Sequence, residues 1–230
     1  MAFSLPDFPW DSLEPFKKQA ADHPEGLIDL SVGSPVDDTP VIALEALALA
    51  GNAPWYPLTA GTPELRAAIV GWWERRRNTG PLESADVIPT IGSKEMVGLL
   101  PTILGLRPGD VVVIPEIAYP TYAIGAHLIS ATVVTSDNPA DWPANTALIW
   151  LNSPSNPTGS VTSIATLRLA VARARDLGAV LASDECYAEL PWAADTVPSL
   201  LDRDVTGGDL TGLLALYSTS KQSNLSLIHI

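Results

Sequence analysis

Lys221 closes the segment Ser218-Thr219-Ser220-Lys221, directly after the apolar run Leu213-Leu214-Ala215-Leu216-Tyr217. An ammonium taken out of water is disfavoured against the neutral amine, and a neutral amine can form a Schiff base with an aldehyde. Four upstream segments carry side chains that suit such an aldehyde if it sits on a phosphorylated pyridine ring. Gly92-Ser93-Lys94-Glu95 joins a glycine, a hydroxyl and free N–H groups at the start of a helical pattern, the arrangement that receives a phosphate. Tyr119, in Pro115-Glu116-Ile117-Ala118-Tyr119-Pro120-Thr121-Tyr122, can lie against a flat ring. Asn156 is held between two prolines in Asn152-Ser153-Pro154-Ser155-Asn156-Pro157-Thr158-Gly159, and its amide can donate to a phenolate oxygen. In Ser183-Asp184-Glu185-Cys186-Tyr187, the Asp184 carboxylate can pair with a protonated pyridine nitrogen and Tyr187 can reach the ring oxygen.

Each feature has a plainer reading when taken singly: a solvated lysine, a helix N-cap at Ser93 or Asp184, a core tyrosine, an Asx-turn at Asn156. Their order along the chain separates the two readings, because each follows a strand-length apolar run. The pattern predicts strands at 86–91, 111–114, 131–135, 147–151, 179–183 and 213–217, alternating with helices at 62–77 and 162–177. Thr62 and Pro63 supply the N-cap and first helical position of one helix, and Gly178 stops the other. Alternation of this kind predicts an α/β fold, a three-layer sandwich around a mostly parallel sheet. In such sheets the loops after the strands gather at one edge, so the reactive residues converge.

Lys and Arg total 13 against 26 Asp and Glu, a net charge of −13 that repels nucleic acid. The basic triplet Arg75-Arg76-Arg77 reads as cations suited to a helix C-terminus. There is a single cysteine, Cys186, read as a small buried hydrophobe, and His23, His127 and His229 are scattered, so no metal site is expected. The chain shows neither a signal-peptide pattern nor a long apolar span, which predicts a cytoplasmic protein without membrane contact. Residues 1–40, rich in Pro and Asp, read as an N-terminal arm and small-domain segment, with residues 41–230 as one large domain.

Together, Gly33-Ser34-Pro35, the Tyr56-Pro57-Leu58-Thr59-Ala60-Gly61-Thr62-Pro63-Glu64-Leu65-Arg66 segment, Asn156-Pro157-Thr158-Gly159 and Ser218-x-Ser220-Lys221 resemble the class I/II, fold-type I aminotransferases that use pyridoxal 5′-phosphate. The resemblance implies that Lys221 carries the Schiff base, that Asp184 pairs with the pyridine nitrogen, and that Asn156 and Tyr187 hold the ring oxygen. It implies Tyr119 as the stacking residue and Ser93, the backbone of Lys94 and the Ser218 hydroxyl as phosphate ligands. Gly33 and Asn156 would face the substrate. Tyr56 is similar to a tyrosine that reaches the phosphate of a neighbouring subunit, which implies a homodimer.

Within the family the wording is most similar to the actinobacterial N-succinyldiaminopimelate aminotransferases. That implies glutamate as donor and N-succinyl-2-amino-6-ketopimelate, of lysine and diaminopimelate biosynthesis, as acceptor. The alternatives are another aminotransferase or a carbon–sulfur lyase on the same scaffold, and a non-catalytic cofactor-binding fragment. The family continues after its lysine with a glycine and an arginine, an antiparallel strand and a small domain. Residues 226–230 match none of this, so the expectation is a C-terminally truncated chain whose lost strand leaves two strand edges unpaired.

Overall fold

The computed structural model describes residues 9–31, 33, 36–192 and 196–225. Residues 34–35 and 226–230, named above, lie outside the described residues. In chain order the elements are α1 (Glu14–Ala21), α2 (Val41–Ala50), α3 (Pro63–Arg76), α4 (Ser93–Ile103), β1 (Val111–Ile114), α5 (Thr121–Leu128), β2 (Thr132–Thr135), β3 (Thr146–Asn152), α6 (Ile164–Leu177), β4 (Val180–Asp184), α7 (Arg203–Thr206), β5 (Leu213–Leu216) and α8 (Thr219–Gln222). No helix among the described residues is long and apolar enough to cross a membrane.

The strands form one parallel sheet in the order β2-β1-β3-β4-β5. Their side chains alternate between two cores. Val111, Val113, Ile149 and Leu181 face Leu167, Val171 and Ala174 of α6. Val112, Ile114, Leu148, Trp150 and Ala182 face Val97 and Leu100 of α4 and Tyr122 and Ala126 of α5. A strand buried on both faces reads as a continuous apolar run, which is why Val111-Val112-Val113-Ile114 was recognisable. Helices α4 and α5 cross closely at two glycines: a Cβ on Gly125 would stand 2.8 Å from the Gly98 carbonyl oxygen.

Helix starts follow the expected chemistry. Thr62 caps α3 by accepting from the Leu65 N–H at 3.2 Å, and Ser163, one residue inside the predicted start, caps α6 by accepting from Thr166 N–H at 3.1 Å. Gly178 ends α6 with φ of 66°.

One predicted strand does not form. Residues 84–86 make a short 3₁₀ turn, and 87–91 run without a ladder partner, although their composition suits a strand. A strand needs a neighbour, and this segment pairs with none among the described residues. Within the first forty residues α1 forms, with no buried residue.

Candidate active site

Brought together at the carboxyl ends of the strands is a cleft of about 1170 Å³. Strand order reverses between β1 and β3, because β2 lies outside β1 while β3, β4 and β5 follow on its other side. Gly33, Ser93, Lys94, Tyr119, Asn156, Asp184, Tyr187, Ser218 and Lys221 all line this one cleft. Tyr56 does not; its side chain is 99% exposed elsewhere on the surface.

Each side chain is placed by a strand or a helix end. Asp184 is the last residue of β4 and lies in register with Leu216 of β5, from which the chain runs through Ser218 into α8 and Lys221. Two neighbouring parallel strands therefore deliver the carboxylate and the amine to one cavity. Lys221 Nζ lies 5.5 Å from the centroid of the Tyr187 ring. Gly92, with φ of 85°, turns the chain into α4, a conformation that L side chains disfavour, and Ser93 is the first helical residue. Ser218 caps α8, its oxygen accepting from Ser220 N–H at 3.2 Å.

Asp184 does not cap a helix. Its Oδ1 accepts from Cys186 N–H at 3.2 Å, and its Oδ2 accepts from the Tyr122 hydroxyl at 2.8 Å. Tyr122 is fully buried and stacks on Trp150 with ring centroids 5.0 Å apart. Burial, and then the charge of Asp184, push the Tyr122 phenol well above its ordinary value, so it keeps its proton and remains the donor. Burial likewise raises the Cys186 thiol, in keeping with a buried neutral side chain whose Sγ donates to Ser93 Oγ at 3.4 Å. Tyr187 is raised too, by burial first and then by Cys186 and Asp184, which keeps its hydroxyl protonated; it accepts from Asn156 Nδ2 at 3.4 Å.

Two residues the sequence reading passed over hold the others in place. Asn152 Nδ2 donates to the Asp184 carbonyl at 2.9 Å while Asn152 Oδ1 accepts from Asn156 N–H at 2.7 Å, so one amide ties the end of β4 to the proline loop. Tyr122 is the other. Its apolar neighbours on α5 mark it as core, and only the fold reveals that its hydroxyl reaches a residue 62 positions away. Hydrogen bonds to charged groups contribute about 1.5–3 kcal/mol, so Tyr122→Phe is expected to lower unfolding stability by roughly that amount in urea melts. A loss below about 0.5 kcal/mol would show that the bond contributes nothing net.

The donor set fits pyridoxal 5′-phosphate. A carboxylate and an amine line one cavity, N–H groups of an eleven-residue helix open beside them, and an aromatic side chain, Tyr119, lines the same wall.

Residues 25–226 match the protein family described as Aminotransferase class I and II. The chain is 49% identical over 223 residues to the 4-dedimethylamino-4-oxo-anhydrotetracycline transaminase OxyQ of Streptomyces rimosus, across 96% of this chain and 62% of that protein. It is 50% identical over 224 residues to the probable aminotransferase Rv1178 of Mycobacterium tuberculosis, across 97% of this chain and 53% of that protein. Among solved structures, the probable N-succinyldiaminopimelate aminotransferase of Thermus thermophilus superposes with a TM-score of 0.83 at 30% identity, covering 94% of this chain and 61% of that one. The chain thus spans between 53% and 62% of the length of these relatives. A match across most of the chain, on a parallel sheet whose strand ends carry the Asp and the Lys, makes this chain a member of the class I and II aminotransferases, a family that uses pyridoxal 5′-phosphate.

Proposed function

We propose that this chain is the cofactor-holding part of an enzyme that transfers an amino group between an amino acid and a keto acid. The observation that carries the reading is the convergence of Asp184 and Lys221 on one cleft from adjacent strands. When bound, pyridoxal phosphate supplies the aldehyde and an electron-withdrawing ring. Lys221 Nζ would hold the cofactor through its aldehyde, and the same amine would carry a proton to and from the substrate α-carbon. The Asp184 carboxylate would keep the ring nitrogen protonated. Asn156 Nδ2 and the Tyr187 hydroxyl would supply donors for the ring oxygen, and Tyr119 would pack on the ring. Ser93 and Ser218 hydroxyls and the Lys94 N–H would hold the phosphate, while Gly33 and Asn156 would meet the substrate.

The active unit in this reading is a homodimer in which Tyr56 serves the neighbouring site. Exposed apolar side chains support it: Val41, Ile42, Leu49 and Trp55, in the stretch of chain that leads to Tyr56, are all exposed. The first forty residues act as arm and small-domain segment, residues 41–230 form the large domain, and the protein works in the cytoplasm.

For the substrate, the first reading is glutamate as donor and N-succinyl-2-amino-6-ketopimelate as acceptor; the Thermus relative, named for N-succinyldiaminopimelate, supports the succinylated substrate. A second reading has its own observation. Trp10, Val161, Leu190, Pro191 and Trp192 also line the cleft, apolar side chains suited to a broad ring ketone, and OxyQ is named for an oxo-anhydrotetracycline. Steady-state assays with glutamate and each acceptor separate the two. The first reading expects kcat/KM at least about tenfold higher for the succinylated keto acid, a difference of about 1.4 kcal/mol in transition-state binding. The opposite order establishes the ring ketone. Release of a thiol from a thioether amino acid without amino transfer would identify a carbon–sulfur lyase instead.

A further inference from the structure

Arg76 and Arg77 close α3 far in sequence from the cleft, yet both reach the turn that carries Tyr187. Arg77 is 4% exposed and Glu185 1% exposed, and Arg77 Nη2 donates to Glu185 Oε2 at 2.9 Å. The other Glu185 oxygen accepts from Ser199 Oγ at 3.1 Å and Leu200 N–H at 2.8 Å, and Arg77 Nη1 donates to the Val197 carbonyl at 2.9 Å. One turn on, Arg76 pairs with Glu189 at the surface. Tyr187 therefore sits midway between two carboxylates, each held by a neighbouring arginine of one helix.

The backbone at this point is gripped as well. Glu185 N–H donates to the Leu216 carbonyl at 2.8 Å, and the Asp184 carbonyl accepts from Ser153 N–H at 3.2 Å. Asp184, Cys186 and Tyr187 line the cleft while Glu185 turns away from it into the ion pair. A buried ion pair adds little net stability, because desolvating both charges offsets their attraction, and its best-attested use is to fix register. Here the pair lies between the two cleft residues Asp184 and Tyr187.

We propose that Arg77, seconded by Arg76, is a positioning residue that holds Asp184 and Tyr187 at the angle needed to grip opposite sides of one pyridine ring. This rests on reading the cleft as a pyridoxal phosphate site. The test compares the unsubstituted chain with the double variant Arg77→Met/Glu185→Gln, which removes both charges together, and with the surface variant Arg76→Ala. Three quantities are read: the melting temperature of the cofactor-free chain, amide hydrogen exchange at residues 186–188 without cofactor, and the dissociation constant for pyridoxal phosphate from its visible band.

The double variant is expected to stay folded, to exchange those amides about tenfold faster, and to bind pyridoxal phosphate about tenfold more weakly, the low end of what losing an outer partner costs at metal sites. A folded double variant with unchanged exchange and affinity overturns the proposal. Should that variant unfold, Arg76→Ala decides: faster exchange with weaker binding supports the clamp, and no change in either overturns it. Failure of the unsubstituted chain to develop any band is a different result, which overturns the site reading itself.

Discussion

Lys221→Ala is expected to abolish the visible band that the chain develops with pyridoxal phosphate, and Lys221→Arg is expected to stop amino transfer although it keeps the charge. A guanidinium remains protonated at any accessible pH, so it can neither attack an aldehyde nor accept a proton from carbon. Proton transfer by a positioned side chain contributes about 10²–10⁴-fold by itself, so the fall in kcat for Lys221→Arg should be at least about 10⁴-fold when the lost anchor is added. Absorbance titration and single-turnover kinetics measure the two effects separately. Appreciable turnover by Lys221→Arg would remove Lys221 from the reaction. The fold of these variants should be intact, because α8 is a four-residue helix with no buried residue.

Asp184→Asn is the second large effect. The carboxylate is 8% exposed and already accepts from Tyr122 and Cys186, so a carboxamide of the same shape fills the space but cannot balance a positive ring nitrogen. Removing one preorganised electrostatic partner of a developing charge typically costs about 10²–10³-fold in kcat, and that range is expected here. The loss should fall on kcat more than on KM, because the interaction strengthens as charge moves into the ring. Steady-state kinetics with glutamate decide it, and a kcat within about threefold of the unsubstituted chain, a difference of about 0.6 kcal/mol, would place the ring nitrogen elsewhere.

Much of the sheet was legible because its strands are apolar runs, β1 being buried at every residue and β5 half-buried. The runs at 111–114 and 213–217 stand out as unbroken apolar segments, and the observed strands Val111–Ile114 and Leu213–Leu216 follow them closely. Residues 86–91 had the composition of a strand and did not become one, since strand formation is a property of a pair of segments rather than of one. Nor was α1 singled out in the sequence, an eight-residue helix with no buried residue.

The residues singled out for chemistry share a cleft because they sit at strand ends or helix starts, and strand ends can be read from where the apolar runs stop. Their supporting partners could not be read in that way. Arg77 meets Glu185 across 108 residues and Arg76 meets Glu189 across 113, so a triplet that looked like ordinary helix-end charge proved to have specific partners. Asn152 looked like the first residue of a turn and is instead the last residue of β3, tied to both Asp184 and Asn156.

Two lysines, Lys94 and Lys221, line the cleft, and only one can be the anchor. Borohydride reduces a Schiff base to a stable secondary amine, which leaves a pyridoxyl group on whichever amine formed it. Reducing the chain in the presence of pyridoxal phosphate and sequencing the labelled peptide should find the modification on Lys221, at one group per chain. A label on Lys94, or none on either lysine, would contradict the central claim.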